Sequence, residues 1–373
     1  MIKLILTNSL IISSLSFILA LLISLIDKVV NNYGEININI NNGTKTLKAK
    51  GGSPLLFTLS DKKIFIPSAC GGKGSCAMCK VVVKSDIGPI LPTEAGYLNE
   101  KEKNDGVRLS CQIKLKKDID IVLPEELFNV KEYICNVKSI KDLTPNIKEI
   151  KLELPENNEF KFTSGQYVQL EAPAYEKIRS STQRAYSISS SPQNKNFIIL
   201  IIGLVPNGIV TTYVFKYLKE NDKIKIVGPF GEFNRKDTNN DMICVAGGTG
   251  MAPIKSIILD MIEKNIMNRN IWYFFGAGSL HDIYYLEEFR EIEKKYSNFK
   301  FIPSLANPDQ NNKWTGEKGL VTEPLDKYLK KIINKDSIKE GYLCGSPGMI
   351  DACVKVMTDN GISEDKIYYD KFA

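Results

Sequence analysis

Three cysteines crowd into one short stretch, Cys70-GGKGS-Cys76-AM-Cys79, and a fourth, Cys111, follows in LSCQI. The remaining four, Cys135, Cys244, Cys344 and Cys353, are scattered along the chain. Clustered cysteines point to a metal site, because a disulfide framework belongs to small secreted domains. Four thiolates can hold both irons of a 2Fe-2S cluster, and the intervening glycines let the loop wrap tightly and turn backbone N–H groups toward sulfide. Zinc is the plain alternative. Zinc modules favour two C-x2-C pairs, however, and only Cys76–Cys79 has that spacing here.

A second pattern is suited to phosphate. MICVAGGTGMAPIKSIILDMI, starting at Met242, reads as a buried strand, a Gly-rich turn made by Gly247, Gly248, Thr249 and Gly250, and an amphipathic helix. A helix N-terminus at such a turn presents free amides and a positive dipole end to pyrophosphate. From Gly276 to Asp282 there is no Arg or Lys to clamp a 2′-phosphate, which favours NADH over NADPH. His281 is the only histidine and sits in a polar SLHD loop, so acid–base or metal duty is not expected of it.

The elements that must position these groups follow from patterning. At 373 residues the chain suits two or three domains. A net charge of +6, with Lys dispersed and not in blocks, implies no nucleic-acid partner. EININI at 35–40 and a second strand ending near Lys50, joined by NNGT, read as a β-hairpin. KEYICNVKSI, IKEIKLELP and the run from Phe162 read as short strands of an antiparallel barrel. IWYFFGAG and FKFIPSLANP read as further strands of the nucleotide domain. At the N-terminus, Leu4 to Ile26 is an uncharged run of 23 residues, long enough to cross a bilayer as one helix, and no small-x-small cleavage site follows it. Thr7, Asn8, Ser9, Ser13, Ser14 and Ser16 could bond to neighbouring helices of a membrane complex. Reduced thiolates and cytosolic NADH place the remainder on the cytoplasmic side, as a single-pass protein of the cell inner (plasma) membrane.

The Cys pattern resembles the plant-type ferredoxins, with five residues in place of four between the first two cysteines. That departure, with ILPTEAGYL at 90–98 and LPEELFNVKEYIC at 123–135, resembles the family of F subunits of sodium-translocating NADH:quinone reductases. Arg184-Ala185-Tyr186-Ser187 resembles the R-x-Y-S signature of the ferredoxin-NADP reductase superfamily. The resemblance implies that Arg184 pairs with the FAD pyrophosphate, Tyr186 packs on the isoalloxazine and Ser187 reaches the N5 edge. NGIVTT at 207–212 resembles the second pyrophosphate motif, carried by Gly208, Thr211 and Thr212, and GPFGEF at 228–233 the turn near the flavin, with Pro229 and Phe230. GGTGMAP resembles the superfamily's nucleotide turn, and YLCGSPGM places Cys344, Gly345 and Pro347 beside the nicotinamide, Cys344 by close packing and not as a nucleophile. Phe372 is expected to cover the flavin until nicotinamide displaces it. The family's segment before the R-x-Y-S strand is shortened here to Ala174–Gln183.

The implied fold is multidomain: an N-terminal transmembrane helix (1–30), a β-grasp (α+β) 2Fe-2S ferredoxin domain (35–127), an antiparallel β-barrel for FAD (131–236) and an α/β Rossmann-like NADH domain (238–373). The implied activity is hydride transfer from NADH to FAD, then single electrons to a cluster held by Cys70, Cys76, Cys79 and Cys111 and onward to partner subunits of a membrane complex. An oxygenase reductase component and a non-catalytic zinc-binding membrane scaffold are the competing readings.

Overall fold

The computed structural model of the chain describes residues 2–30, 33–156, 159–308 and 314–372. They fall into two compact units, Met1–Ser68 with Gly72–Asn129, and Ala69–Gly71 with Val130–Ala373. In the first unit, α1 (Ile2–Val30) is a single long helix. The expected anchor coincides with it; the side chains at either end lie outside the described residues, and those from Asn8 to Ser24 are exposed. Among the described residues no helix is long and apolar enough to cross a membrane.

The rest of this unit is a five-stranded sheet in the order β2-β1-β5-β3-β4. Its strands are β1 (Glu35–Ile40), β2 (Lys45–Lys50), β3 (Lys80–Val83), β4 (Val107–Leu109) and β5 (Ile119–Val122). The hairpin β1–β2 forms in the expected place, with Ile40 opposite Lys45 across a turn whose Asn41, Asn42 and Gly43 all take positive φ. Alternation along β1 sends Ile36, Ile38 and Ile40 inward against Leu55 and Leu59 of α2 (Leu55–Asp61). Each such side chain stabilises by about 1.5–3 kcal/mol. Between β3 and β4 lie α3 (Pro92–Ala95) and α4 (Glu100–Asn104), the latter closed by a reciprocal capping box between Asn99 and Glu102.

The second unit begins with six antiparallel strands, β6 (Lys131–Thr144), β7 (Ile147–Glu153), β8 (Tyr167–Ala172), β9 (Thr182–Ser187), β10 (Phe197–Gly203) and β11 (Lys223–Phe230). Their order is β10-β7-β6-β11-β8-β9. A bridge between Ile188 and Leu200, with Ser189 N donating to Ile199 O at 2.7 Å, joins the two edges and closes the barrel. Helix α5 (Ile209–Lys216) packs Val210 and Val214 into the barrel core.

A parallel sheet follows, in the order β15-β14-β13-β12-β16-β17. Its strands are β12 (Asp241–Gly247), β13 (Ile271–Ala277), β14 (Phe299–Leu305), β15 (Glu317–Lys318), β16 (Lys339–Gly345) and β17 (Ile367–Lys371). Strand β12 explains why both faces need helices. Met242, Cys244 and Ala246 join one core with α6 (Met251–Glu263) and α7 (Leu286–Lys295), whereas Ile243 and Val245 join another with α8 (Thr322–Lys331) and α9 (Pro347–Asp359). Strand order reverses at β12, which puts the crevice for a ligand between the carboxyl ends of β12 and β16. Helix α6 also ties this sheet to the barrel: Ser256 Oγ donates to Ser190 O at 2.7 Å, and Asp260 accepts from Gln193 Nε2 at 2.9 Å.

Candidate functional site

Cys79 immediately precedes β3 and Cys111 follows β4 by two residues; the register that pairs Lys80 with Leu109 brings these cysteines together in the interior. Ser110 N donates to Cys79 O at 2.8 Å across the join. A hydrogen bond with Cys111, reinforced by burial, holds the Cys79 proton far above the usual thiol range. Cys70 and Cys76 are half-buried. Gly72 adopts a φ of +84°, and a Cβ there would stand 2.5 Å from Phe57 Cζ, so the loop needs glycine at that point. Among the described residues no three Cys, His, Asp or Glu side chains are gathered as a metal-holding group. Cys70, Cys76, Cys79 and Cys111 are each free of disulfides, the state in which thiolates can hold a cation.

One buried ion pair holds the frame around Cys111. Glu94 is fully buried and accepts from Arg108 Nε at 2.7 Å, Arg108 Nη2 at 2.5 Å, Leu91 N at 3.0 Å and Leu109 N at 3.0 Å. Arg108 further donates to the carbonyls of Gly88 and Pro89, both at 3.1 Å. Burial alone would raise the Glu94 pKa, but the bonds from Arg108 and the two amides, with the Arg108 charge, bring it below the usual carboxylate value.

On the barrel, Arg184, Tyr186 and Ser187 share β9. Arg184 is half-buried and its Nη1 donates to Gln183 O at 2.7 Å, leaving further guanidinium N–H groups for an anion. Ser187 is buried, and burial pushes the Tyr186 phenol above its usual pKa. Gly208 forms the N-cap of α5, with no side-chain cap. The Thr211 hydroxyl is engaged locally, accepting from Val205 N at 3.2 Å and lying 3.1 Å from Val205 O. It therefore fixes the turn, and the amides of the first helical turn remain as anion donors. Pro229 and Phe230 belong to β11 and the chain turns only at Gly231; Phe230 is buried against Tyr167, with ring centroids 5.6 Å apart.

In the parallel sheet, Gly248, Thr249 and Gly250 make one turn of 3-10 helix after Gly247 and lead into α6. A Cβ on Gly250 would lie 2.1 Å from Cys344 O, so only glycine lets this turn meet the end of β16. Cys344 is fully buried, and burial keeps its thiol protonated, which suits packing and not nucleophilic attack. Met349, on α9 two residues beyond Pro347, packs against both Gly247 and Gly345. Tyr284 donates its hydroxyl to Gly248 O at 2.7 Å. Phe372 N donates to Gly345 O at 2.9 Å, which brings the C-terminal segment to the same crevice. His281 is exposed.

Three family models match in this order: the 2Fe-2S iron-sulfur cluster binding domain over residues 38–116, the oxidoreductase FAD-binding domain over 134–235 and the oxidoreductase NAD-binding domain over 244–355. The F subunit of the Na(+)-translocating NADH-quinone reductase from Serratia proteamaculans is 36% identical, over 95% of this chain and 96% of its own length. Its counterpart from Neisseria meningitidis serogroup C matches at the same identity and coverage. The chain belongs to the family of F subunits of Na(+)-translocating NADH-quinone reductases. Members of this family are oxidoreductase subunits, and the FAD, NAD and 2Fe-2S domains make this chain one that takes in electrons from NADH.

Solved structures agree on the fold. The cytochrome P450 reductase GcoB of Amycolatopsis superposes with a TM-score of 0.70 at 24% identity, covering 90% of this chain and 98% of that one. The ferredoxin reductase in carbazole 1,9a-dioxygenase does so at 0.67 and 21%, covering 91% and 99%. The cysteines, β9, the N-terminus of α5 and the β12 turn were all visible in the sequence as candidates. Glu94, Arg108, Tyr284 and Met349 were not. Met349 stands in the YLCGSPGM run and could have been, whereas a Tyr reaching back to a carbonyl 36 positions earlier leaves no local signal.

Proposed function

We propose that this chain is the electron-input subunit of a membrane sodium-translocating NADH:quinone reductase, with Cys70, Cys76, Cys79 and Cys111 holding the 2Fe-2S cluster. The observation that carries the reading is the likeness to the reductase's F subunit along nearly the whole chain, with the three cofactor domains in one order. When bound, FAD exchanges electron pairs with NADH and single electrons with a 2Fe-2S cluster, so the cofactors supply the chemistry and the residues supply binding and orientation.

Arg184 and the amides at the start of α5, beside Thr211 and Thr212, take the FAD pyrophosphate. Tyr186 offers its ring to the isoalloxazine, Ser187 its hydroxyl to the N5 edge, and Pro229 and Phe230 shape the neighbouring wall. Gly247, Gly248, Thr249 and Gly250 admit the dinucleotide pyrophosphate at the N-terminus of α6. Cys344, Gly345 and Pro347 pack beside the nicotinamide, and Phe372 covers the flavin face until nicotinamide enters. The dinucleotide is NADH: in the turn from Gly276 to Asp282 a carboxylate, Asp282, accepts from Ser279 N at 2.8 Å and Ser279 Oγ at 2.9 Å, and no cation of that turn is there to face a 2′-phosphate.

Helix α1 anchors the chain as a single pass in the inner membrane, with both folded units cytoplasmic and with electrons leaving to partner subunits, where sodium transport resides. Its uninterrupted length and its exposed apolar residues from Leu10 to Ile23 support that role. The test is to purify the chain anaerobically in detergent, record visible and electron paramagnetic resonance spectra, and add NADH and then NADPH. Flavin bleaching and a rhombic signal from a reduced 2Fe-2S cluster under NADH are expected. A colourless, zinc-containing protein, or equal reduction by NADPH, would overturn the assignment or its NADH preference respectively.

A further inference from the structure

Helix α6 starts at the Gly247–Gly250 turn and is buried along most of its length. Part of its contact with the barrel is apolar: Ile201 of β10 shares a core with Ile254, Ile257 and Ile258. Apolar contact is non-directional and by itself lets packed surfaces slide. The rest of the seam is polar. Ser256, Asp260 and Glu263 are spaced four and three residues apart, so they share one helix face. Ser256 is fully buried and its Oγ donates to Ser190 O at 2.7 Å. Asp260 is buried too, and accepts from Ser164 Oγ at 3.2 Å, from Gln193 Nε2 at 2.9 Å and, within the helix, from Lys264 Nζ at 2.8 Å. Ser191 Oγ donates to Glu263. Ser190, Ser191 and Gln193 follow Ser187 closely on the chain that leaves β9. These bonds therefore join the helix of the nucleotide turn to the strand that carries Tyr186 and Ser187.

We infer that Asp260 and Ser256 are positioning residues for hydride transfer: their bonds to the barrel fix the register of α6 against the β9 chain, and with it the distance between nicotinamide and flavin. The inference rests on the proposed sites for NADH and FAD. The transfer moves one hydride with its electron pair from NADH, which is oxidised, to flavin N5, which is reduced. It needs the reacting atoms about 3–3.5 Å apart, and a displacement of about 1 Å can slow it ~100-fold. Hydrogen bonds demand both distance and angle, so the polar seam holds one register where apolar contact alone allows several. Asp260 suits the task because it grips two barrel loops at once, the one before β8 through Ser164 and the one after β9 through Gln193. Neither Asp260 nor Ser256 belongs to the Gly247–Gly250 turn, so loss of the seam should slow the reaction without loosening the hold on NADH.

The experiment uses the full chain, purified anaerobically with its cofactors, and follows stopped-flow reduction of the flavin over a range of NADH concentrations. The unsubstituted chain comes first; absence of flavin, or of bleaching by NADH, refutes the site assignments themselves. With bleaching present, Gln193→Ala, Ser256→Ala and Asp260→Ala are compared. The limiting rate should fall about tenfold in the first two and toward ~100-fold in Asp260→Ala, while the half-saturating NADH concentration stays within about twofold. Lys264→Ala removes only the bond inside the helix and should keep its limiting rate within about twofold. Gln193 is exposed, so its substitution spares the fold and carries the test even where Asp260→Ala does not fold. Amide hydrogen exchange without nucleotide gives a reading independent of turnover: residues 188–193 and α6 should exchange faster in Gln193→Ala and Ser256→Ala. Limiting rates within about twofold of the unsubstituted chain in both of those variants overturn the inference. So does an equal loss in Lys264→Ala, unchanged exchange in the slowed variants, or a raised half-saturating concentration at an unchanged limiting rate.

Discussion

Replacing Glu94 by Ala tests how much of the ferredoxin unit depends on one buried pair. The Glu94 side chain is 0% exposed and that of Arg108 8%, so water cannot take over when the carboxylate is removed. Arg108 would lose its bonds from Nε and Nη2, and the amides of Leu91 and Leu109 would lose their acceptor. Breaking a buried pair by removing one partner costs about 3–5 kcal/mol. A domain's whole stability is about 5–15 kcal/mol, so the substitution should remove a large part of it. The assay is urea unfolding of the full chain at pH 7, with loss of cluster absorbance reporting the first unit and flavin fluorescence the second. The cluster transition should move to lower urea while the flavin transition stays in place. Glu94→Leu combined with Arg108→Met should recover much of the loss, because it strands no charge. The pH dependence has a definite sign. Because the folded-state pKa of Glu94 lies below its ordinary 4.5, its contribution is complete above that value and disappears as pH falls through the lower folded pKa. The stability gap between the unsubstituted chain and Glu94→Gln should therefore narrow on acidification below about pH 4.5. A loss under about 1 kcal/mol at pH 7, the range of solvent-exposed pairs, would refute the reasoning.

Gly250→Ala should weaken NADH binding and destabilise the second unit by about 1–3 kcal/mol or more, since its Cβ would stand 2.1 Å from a backbone carbonyl; stopped-flow flavin reduction against NADH concentration measures the former. Thr211→Val should cost about 1 kcal/mol through the lost bonds to Val205 and loosen FAD retention, which equilibrium dialysis reads directly. Asp370 has its pKa raised to about 6 by burial, so it penalises the folded state progressively as pH rises from its ordinary 3.8 to about 6. Asp370→Asn should remove that slope and be the more stable form above pH 6, as thermal melts across the range would reveal.

The sequence by itself determined the chemistry and its order along the chain. Cysteine spacing, the Gly-rich turn between a hydrophobic strand and a helix, and the R-x-Y-S run are local features, because a cofactor loop is built from consecutive residues whose backbone must bend in one way. The hairpin at β1 and β2 was equally legible, since alternation and an Asn-Asn-Gly turn are both short-range signals. Tertiary structure alone decided the rest. Cys79 and Cys111 meet because β3 and β4 pair in one register, and a slip of one residue would turn Cys79 away. Gly250 is obligatory because β16, nearly a hundred residues later in sequence, ends against it. Glu94 carries no sign in the sequence that its carboxylate is buried. Burial makes it a structural carboxylate, and burial is a property of the packed interior, not of neighbouring letters.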